Sequence, residues 1–375
     1  MKQLTTIAMG LLLASTALAQ KTTKTEPLPA MKDVMGKYFL IGAAVDTNMV
    51  NGKTPEIEKV VQTQFNQVVG ENCMKGEENH PEVNRFDFHD GDKLVEWAEK
   101  NGKTLIGHCL VWHSQPPKWM FTDKEGKLVS REILIGRMYN HIMTVMTHYK
   151  GKVKGWDVVN EAIEDDGSYR QSLYYKIIGP EYIELAFQFA HEADPDVELY
   201  INDYSMAKPA KREAYVKLLR QLKAKGLRID AIGMQSHNGY DYPDYTEYEK
   251  SLEAFAAEGV KVMMTELDIN MLPNPQGFNG AEISQNFELQ KKYNPYEKGL
   301  DKKAQKLFNQ RYLELFRIIE RHKDVIDRVT FWGVSDKTSW LNGWPIKGRT
   351  NYPLLIDRDC QLKPVVKDIE KLFEQ

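Results

Sequence analysis

Eight short apolar runs, each followed by an amphipathic helical pattern, limit this chain to a small set of folds. The runs are Phe39–Val45, Phe65–Val69, Thr104–Val111, Gly155–Val159, Glu198–Ile201, Ala231–Gln235, Val260–Thr265 and Val329–Val334. Helical patterns occupy Pro55–Gln64, Asp90–Lys100, Arg131–Tyr149, Pro180–Ala193, Ala210–Lys225, Tyr245–Ala257, Lys302–His322 and Pro364–Phe373. Leu307, Tyr312, Leu315, Phe316 and Ile319 show the three- and four-residue spacing of one buried helix face. Gly102, Gly226 and Gly259 stand where a helix gives way to a strand. Strands that alternate with helices build parallel sheets, because a parallel return needs a long crossover. Eight such pairs with no compositional break predict a single (β/α)8 TIM barrel over residues 32–375. A doubly wound open sheet is the alternative. It would carry a ligand crevice at a switch point, and the sequence has no glycine-rich phosphate loop to fill one.

The amino terminus reads differently. Lys2 precedes an apolar core from Ile7 to Leu18, and Ala17-Leu18-Ala19 forms a small-x-small cleavage site. Residues 1–19 are therefore expected to be a signal peptide and 20–31 a short linker. The apolar core is too short to span a bilayer, so the mature chain is expected to be exported, secreted or periplasmic, with no membrane span. A formal net charge of −3 offers no basic excess for nucleic acid. Three cysteines, Cys73, Cys109 and Cys360, cannot form a disulfide scaffold and are expected as buried free thiols.

Polar residues collect where the strands end, which is where barrel enzymes place their chemistry. Glu71, Asn72 and Lys75 follow the second strand; His108, Trp112, His113 and Gln115 come at the third. Asp157, Asn160 and Glu161 close the fourth, and Asn202, Asp203 and Tyr204 the fifth. Gln235 and His237 follow the sixth, Glu266 and Asp268 the seventh, and Trp332, Asp336 and Trp340 the eighth. The 9 histidines include no H-E-x-x-H, and no G-x-S-x-G elbow occurs, so neither a catalytic metal nor a serine nucleophile is indicated. Two strand-end glutamates remain, Glu161 and Glu266. Paired carboxylates are what glycosidic cleavage needs: one protonates the leaving oxygen, and the other attacks carbon or activates water.

With these residues in view, the chain resembles glycoside hydrolase family 10 endo-β-1,4-xylanases. The matching segments are E-N-C-M-K at 71–75, H-C-L-V-W-H-S-Q-P-P-K-W at 108–119, W-D-V-V-N-E at 156–161, T-E-L-D at 265–268 and F-W-G-V-S-D-K-T-S-W at 331–340. They occur in family order and run from about Tyr38 to the end. The resemblance implies a retaining hydrolase that acts on xylan and xylo-oligosaccharides without a cofactor. It implies Glu161 as acid/base and Glu266 as nucleophile, with His237 between Glu266 and the supporting Asp268. Glu71, Asn72 and Lys75 would grip sugars on the non-reducing side, while His108 and Trp112 would close around the sugar at the cleavage point. Asn160 would donate to its 2-hydroxyl, Gln235 would orient sugar or nucleophile, and Tyr204 would line the leaving-group side. Trp332 and Trp340 would roof the reacting ring and crowd out a hydroxymethyl group.

One position departs from the family pattern: Gly76 stands where many members carry an aromatic ring, which removes a stacking surface near the non-reducing sugars. The loop from Leu272 to Gly299, rich in Asn, Gln, Pro and Gly, is expected as a rim over the cleft. The chain is expected to work as a monomer without a separate carbohydrate-binding module. A β-glucan hydrolase and a catalytically silent sugar-binding barrel are the competing readings, and the presence of both glutamates opposes the second.

Overall fold

The computed structural model describes residues 29–374; the expected signal peptide lies outside them. Nine strands appear: β1 (Leu40–Val45), β2 (Gln67–Gly70), β3 (Thr104–Trp112), β4 (Gly155–Asn160), β5 (Glu198–Asp203), β6 (Ala231–Met234), β7 (His237–Gly239), β8 (Lys261–Asn270) and β9 (Ile326–Phe331). Neighbours pair in parallel from β1 to β6, β1 also pairs with β9, and β9 pairs with β8. The β6–β8 pairing closes the ring, giving an eight-stranded (β/α)8 barrel.

Where the strands depart from the expected boundaries, a local cause is visible. The sixth stops at Met234 because Ser236 turns into the left-handed region at φ 65°. The chain then restarts as β7, pairing His237 with Asp268 at the outer end of β8. β8 runs on to Asn270, since its polar residues are buried at the barrel mouth. β9 begins earlier than its apolar run because Arg328, only 1% exposed, points into the barrel and lies 3.6 Å from Asp157. Polarity there marks an interior position, and apolar patterning could not register it.

Helices His89–Lys100, Arg131–His148, Tyr182–Ala193, Pro209–Ala224 and Lys302–Arg321 form the outer layer with Pro55–Gln64, Tyr245–Ala257 and Val365–Phe373. Their starts follow capping chemistry: Asp301 accepts from Ala304 N at 2.8 Å and Asp244 from Thr246 N at 2.8 Å. Phe308, Tyr312, Leu315, Phe316 and Ile319 of the long Lys302–Arg321 helix are all buried against the barrel. Inside it, Ala44, Val69, Ile106, Tyr200, Ala231, Met263 and Trp332 pack as a separate cluster. Met31, the last residue of the expected linker, opens the helix Met31–Val34 and is fully buried. Cys73 and Cys109 are buried free thiols, whereas Cys360 is only half-buried. Among the described residues, no helix is long and apolar enough to cross a membrane.

Candidate active site

The barrel mouth gathers its side chains through breaks in strand regularity. Register shifts between His108 and Val111 of β3, and between Met264 and Leu267 of β8, re-aim residues near both strand ends. Glu161 follows β4 with φ 59°, a conformation uncommon outside glycine. Its buried carboxyl receives Trp112 Nε1 at 2.8 Å, Gln235 Nε2 at 3.0 Å and Asn160 Nδ2 at 3.2 Å. Burial pushes its pKa above the ordinary carboxylate range, against the opposing charge of His113 and the bonds from Gln235 and Trp112.

Glu266, on β8, is buried just as deeply and is poised the other way. Asn202 Nδ2 donates to its Oε1 at 2.8 Å, and His237 Nε2 stands 3.1 Å from Oε2. Burial alone would raise its pKa, yet the hydrogen bond from His237, the charges of His108 and His237 and the Asn202 bond hold it below the usual value. His237 lies between two carboxylates, with Nδ1 3.0 Å from Asp268 Oδ2. Burial disfavours its charge, but Asp268 and Glu266 together push it up to about 10. At neutral pH it is therefore an imidazolium able to donate from both nitrogens. Asn202 is held in turn by Thr265 Oγ1 at 2.6 Å and gives its other proton to Asn160 Oδ1 at 2.9 Å. Gly233 makes this possible, because a Cβ there would sit 2.2 Å from Asn202 Oδ1.

The remaining groups surround this pair. His108 Nδ1 lies 2.9 Å from Asp157 Oδ2, and the His108 ring meets Trp332 edge-on at 5.3 Å. Trp340 donates from Nε1 to Asp268 Oδ2 at 2.8 Å and stacks on Trp344 at 4.4 Å. Lys75 Nζ bonds Asn72 Oδ1 at 3.0 Å and Gln115 Oε1 at 2.8 Å, and lies 4.8 Å from the Trp112 ring centre. Burial raises the Glu71 carboxyl to about 7, despite the nearby Lys75.

A cavity of about 200 Å³ brings together Glu71, Asn72, Lys75, His108, Trp112, Asn160, Glu161, Gln235, His237, Glu266, Trp332 and Trp340. Of the residues to which the resemblance gave a site role, two do not line it. Asp268 reaches it only through His237 and Trp340. Tyr204 lines a neighbouring cavity of about 560 Å³, and its hydroxyl accepts from Arg170 Nη2 at 2.6 Å. Asn202, Asp157, Arg170 and Glu282 are further contributors that sequence reasoning gave no site role. The first two sit at strand ends, which was a usable signal; Arg170 and Glu282 come from loops and had none. A Cβ on Gly76 would make ordinary contact with Pro117 at 3.4 Å, so the backbone there admits a side chain. Glu249, Glu253 and His322 have ligand-like spacing outside this cavity, but Arg321 already pairs with Glu249 through two nitrogens.

These observations describe a cleft with two buried glutamates set in different surroundings. The model for "Glycosyl hydrolase family 10" matches residues 30–372. The chain is 60% identical to endo-1,4-beta-xylanase A of Xylanibacter ruminicola over the full length of both. It is 38% identical to a beta-1,4-xylanase of Dictyoglomus thermophilum, covering 96% of each chain. Among solved structures, a GH10 endoxylanase from a sugarcane soil metagenome superposes with a TM-score of 0.88 at 42% identity, covering 92% of this chain and all of that one. The chain belongs to glycosyl hydrolase family 10.

Proposed function

We infer that Glu161 is the acid/base and Glu266 the nucleophile of this enzyme. The chain is an endo-1,4-β-xylanase, and hydrolysis with two glutamates and retention of configuration is general to its family. The observation that carries the assignment is the different setting of two buried glutamates in one cavity: Glu161 is held by the neutral donors Trp112 and Gln235 and burial raises its pKa, while His237 and Asn202 contact Glu266 and lower its pKa.

In the first step Glu266 attacks the anomeric carbon while Glu161 gives its proton to the departing oxygen. In the second, Glu161, now a carboxylate, takes a proton from the water that displaces Glu266. Asp268 supports the nucleophile through His237. Glu71, Asn72 and Lys75 grip the non-reducing sugars, and His108, Trp112, Asn160 and Gln235 hold the sugar at the cleavage point. Trp332 and Trp340 roof it, and Tyr204 serves the leaving-group side. The enzyme works as an exported monomer, with residues 1–19 as signal peptide and a short linker ahead of the catalytic barrel, which Met31 joins. A product profile from xylan tests this reading: internal cleavage yields short oligosaccharides at once, whereas absence of reducing-sugar release would overturn it.

A further inference from the structure

The loop between β8 and helix Lys302–Arg321 extends across the barrel mouth. At Gly280 it passes against Tyr204, where a Cβ would lie 2.7 Å from the ring. Ala281 and Ile283 line the catalytic cavity, and the loop then returns to Pro345, whose carbonyl accepts from Phe287 N at 2.9 Å. Between them, Glu282 Oε2 accepts from Arg170 Nη1 at 3.2 Å and lies 3.5 Å from His113 Nε2.

Both partners of Glu282 face Glu161. His113 Nδ1 is buried without a hydrogen-bond partner among the described residues and stands 3.7 Å from Glu161 Oε2. Arg170 Nε donates to the Glu161 backbone carbonyl at 2.9 Å. Glu161 occupies a strained backbone conformation, which surrounding contacts must maintain. The His113 contact, aided by Ser284, takes the Glu282 carboxyl down to about 2. Other groups around this chain of contacts are Glu164, 3.3 Å from Arg170 Nη1, the Tyr204 hydroxyl, which accepts from Arg170 Nη2 at 2.6 Å, and Ser114 Oγ, 2.9 Å from His113 Nε2.

We propose that Glu282 is a positioning residue for Glu161: by holding His113 and Arg170 it fixes the direction in which Glu161 delivers its proton. This rests on Glu161 being the acid/base. A loop remote from the catalytic strand sequence thereby takes part in proton transfer, and displacement of an acid by even about 1 Å can cost roughly a hundredfold in rate.

The test uses two aryl β-xylobiosides of the same shape whose phenols differ in acidity. For each, kcat/KM reports the first bond cleavage, which needs the acid only when the phenol is a poor leaving group. In Glu282→Gln and Glu282→Ala, kcat/KM for the poor leaving group should fall about 10- to 100-fold and that for the acidic phenol by less than about twofold. Equal losses on both substrates would make Glu282 a cleft-wall residue and overturn the proposal, as would no loss on either. Glu161→Ala, measured alongside, separates the two claims. If it fails to show the same dependence on phenol acidity, the acid/base assignment itself has failed.

Discussion

Trp340 Nε1 and His237 Nδ1 converge on one oxygen, Asp268 Oδ2, at 2.8 and 3.0 Å. The roof of the cleft and the imidazolium beside the nucleophile are thus tied to a single carboxylate. A change at Trp340 acts on substrate shape and on Glu266 together.

That coupling shapes the outcome at the roof. Trp340→Ala should relax exclusion of glucose-type substrates and lower xylan turnover, with a change in selectivity worth about 1–3 kcal/mol. Trp340→Phe keeps a ring but loses the bond to Asp268, so it should slow both substrates and preserve more of their ratio. Relative kcat/KM on xylo- and gluco-configured aryl glycosides checks this, and an unchanged ratio in the Ala variant would place Trp340 away from the reacting sugar.

Asp268→Asn removes the charge that most favours the His237 imidazolium. His237 is raised from an ordinary value of about 6.5 to about 10, so its stabilising contribution is complete below pH 6.5 and lost as pH rises through 10. In the variant that loss should move to lower pH, visible in urea unfolding from pH 6 to 10. Glu266, less firmly held as the anion, should titrate higher and carry the acid limb of the kcat/KM profile upward. A limb that stays in place would show that Asp268 does not act on Glu266 through His237.

Activity on xylan should be bell-shaped in pH, with Glu266 setting the acid limb and Glu161 the alkaline one. Glu161→Gln should abolish the alkaline limb for substrates that still react. Persistence of that limb would mean another group supplies the proton.

The sequence exposed the barrel and most of the cleft for a physical reason. Strand-end residues such as Asn160, Glu161, Gln235 and Glu266 interrupt apolar runs, and that interruption can be counted. Arg328 and Gln67 were invisible because they are buried polar residues inside the barrel, where apolar patterning carries no signal. β7 was missed because its existence depends on a turn at Ser236 and on a partner, Asp268, far along the chain. Glu282 sits in a loop whose composition announces a rim but not which residue crosses to Arg170 and His113.

Below the cleft, Asp203 is fully buried and accepts from Lys211 Nζ at 2.8 Å and from the Tyr204 backbone N–H at 2.8 Å. Lys211→Met would leave that carboxylate in the core without its cation, held only by the Tyr215 hydroxyl at 2.5 Å and the backbone N–H groups of Tyr204 and Ile163. Breaking a buried pair by removing one partner costs about 3–5 kcal/mol, so the denaturant midpoint should drop clearly. A change below about 1 kcal/mol would mean Asp203 is satisfied without Lys211.

The central claim, that Glu161 and Glu266 have different roles, is tested most directly by azide with an aryl xylobioside bearing an acidic phenol. Glu161→Ala should leave the first step nearly intact, accumulate the covalent intermediate as a burst, and turn over faster with azide to give the β-glycosyl azide. Glu266→Ala should show no burst, and azide could give only the inverted α-product by direct attack. A β-azide from the Glu266 variant and none from the Glu161 variant would contradict the account and reverse the two assignments.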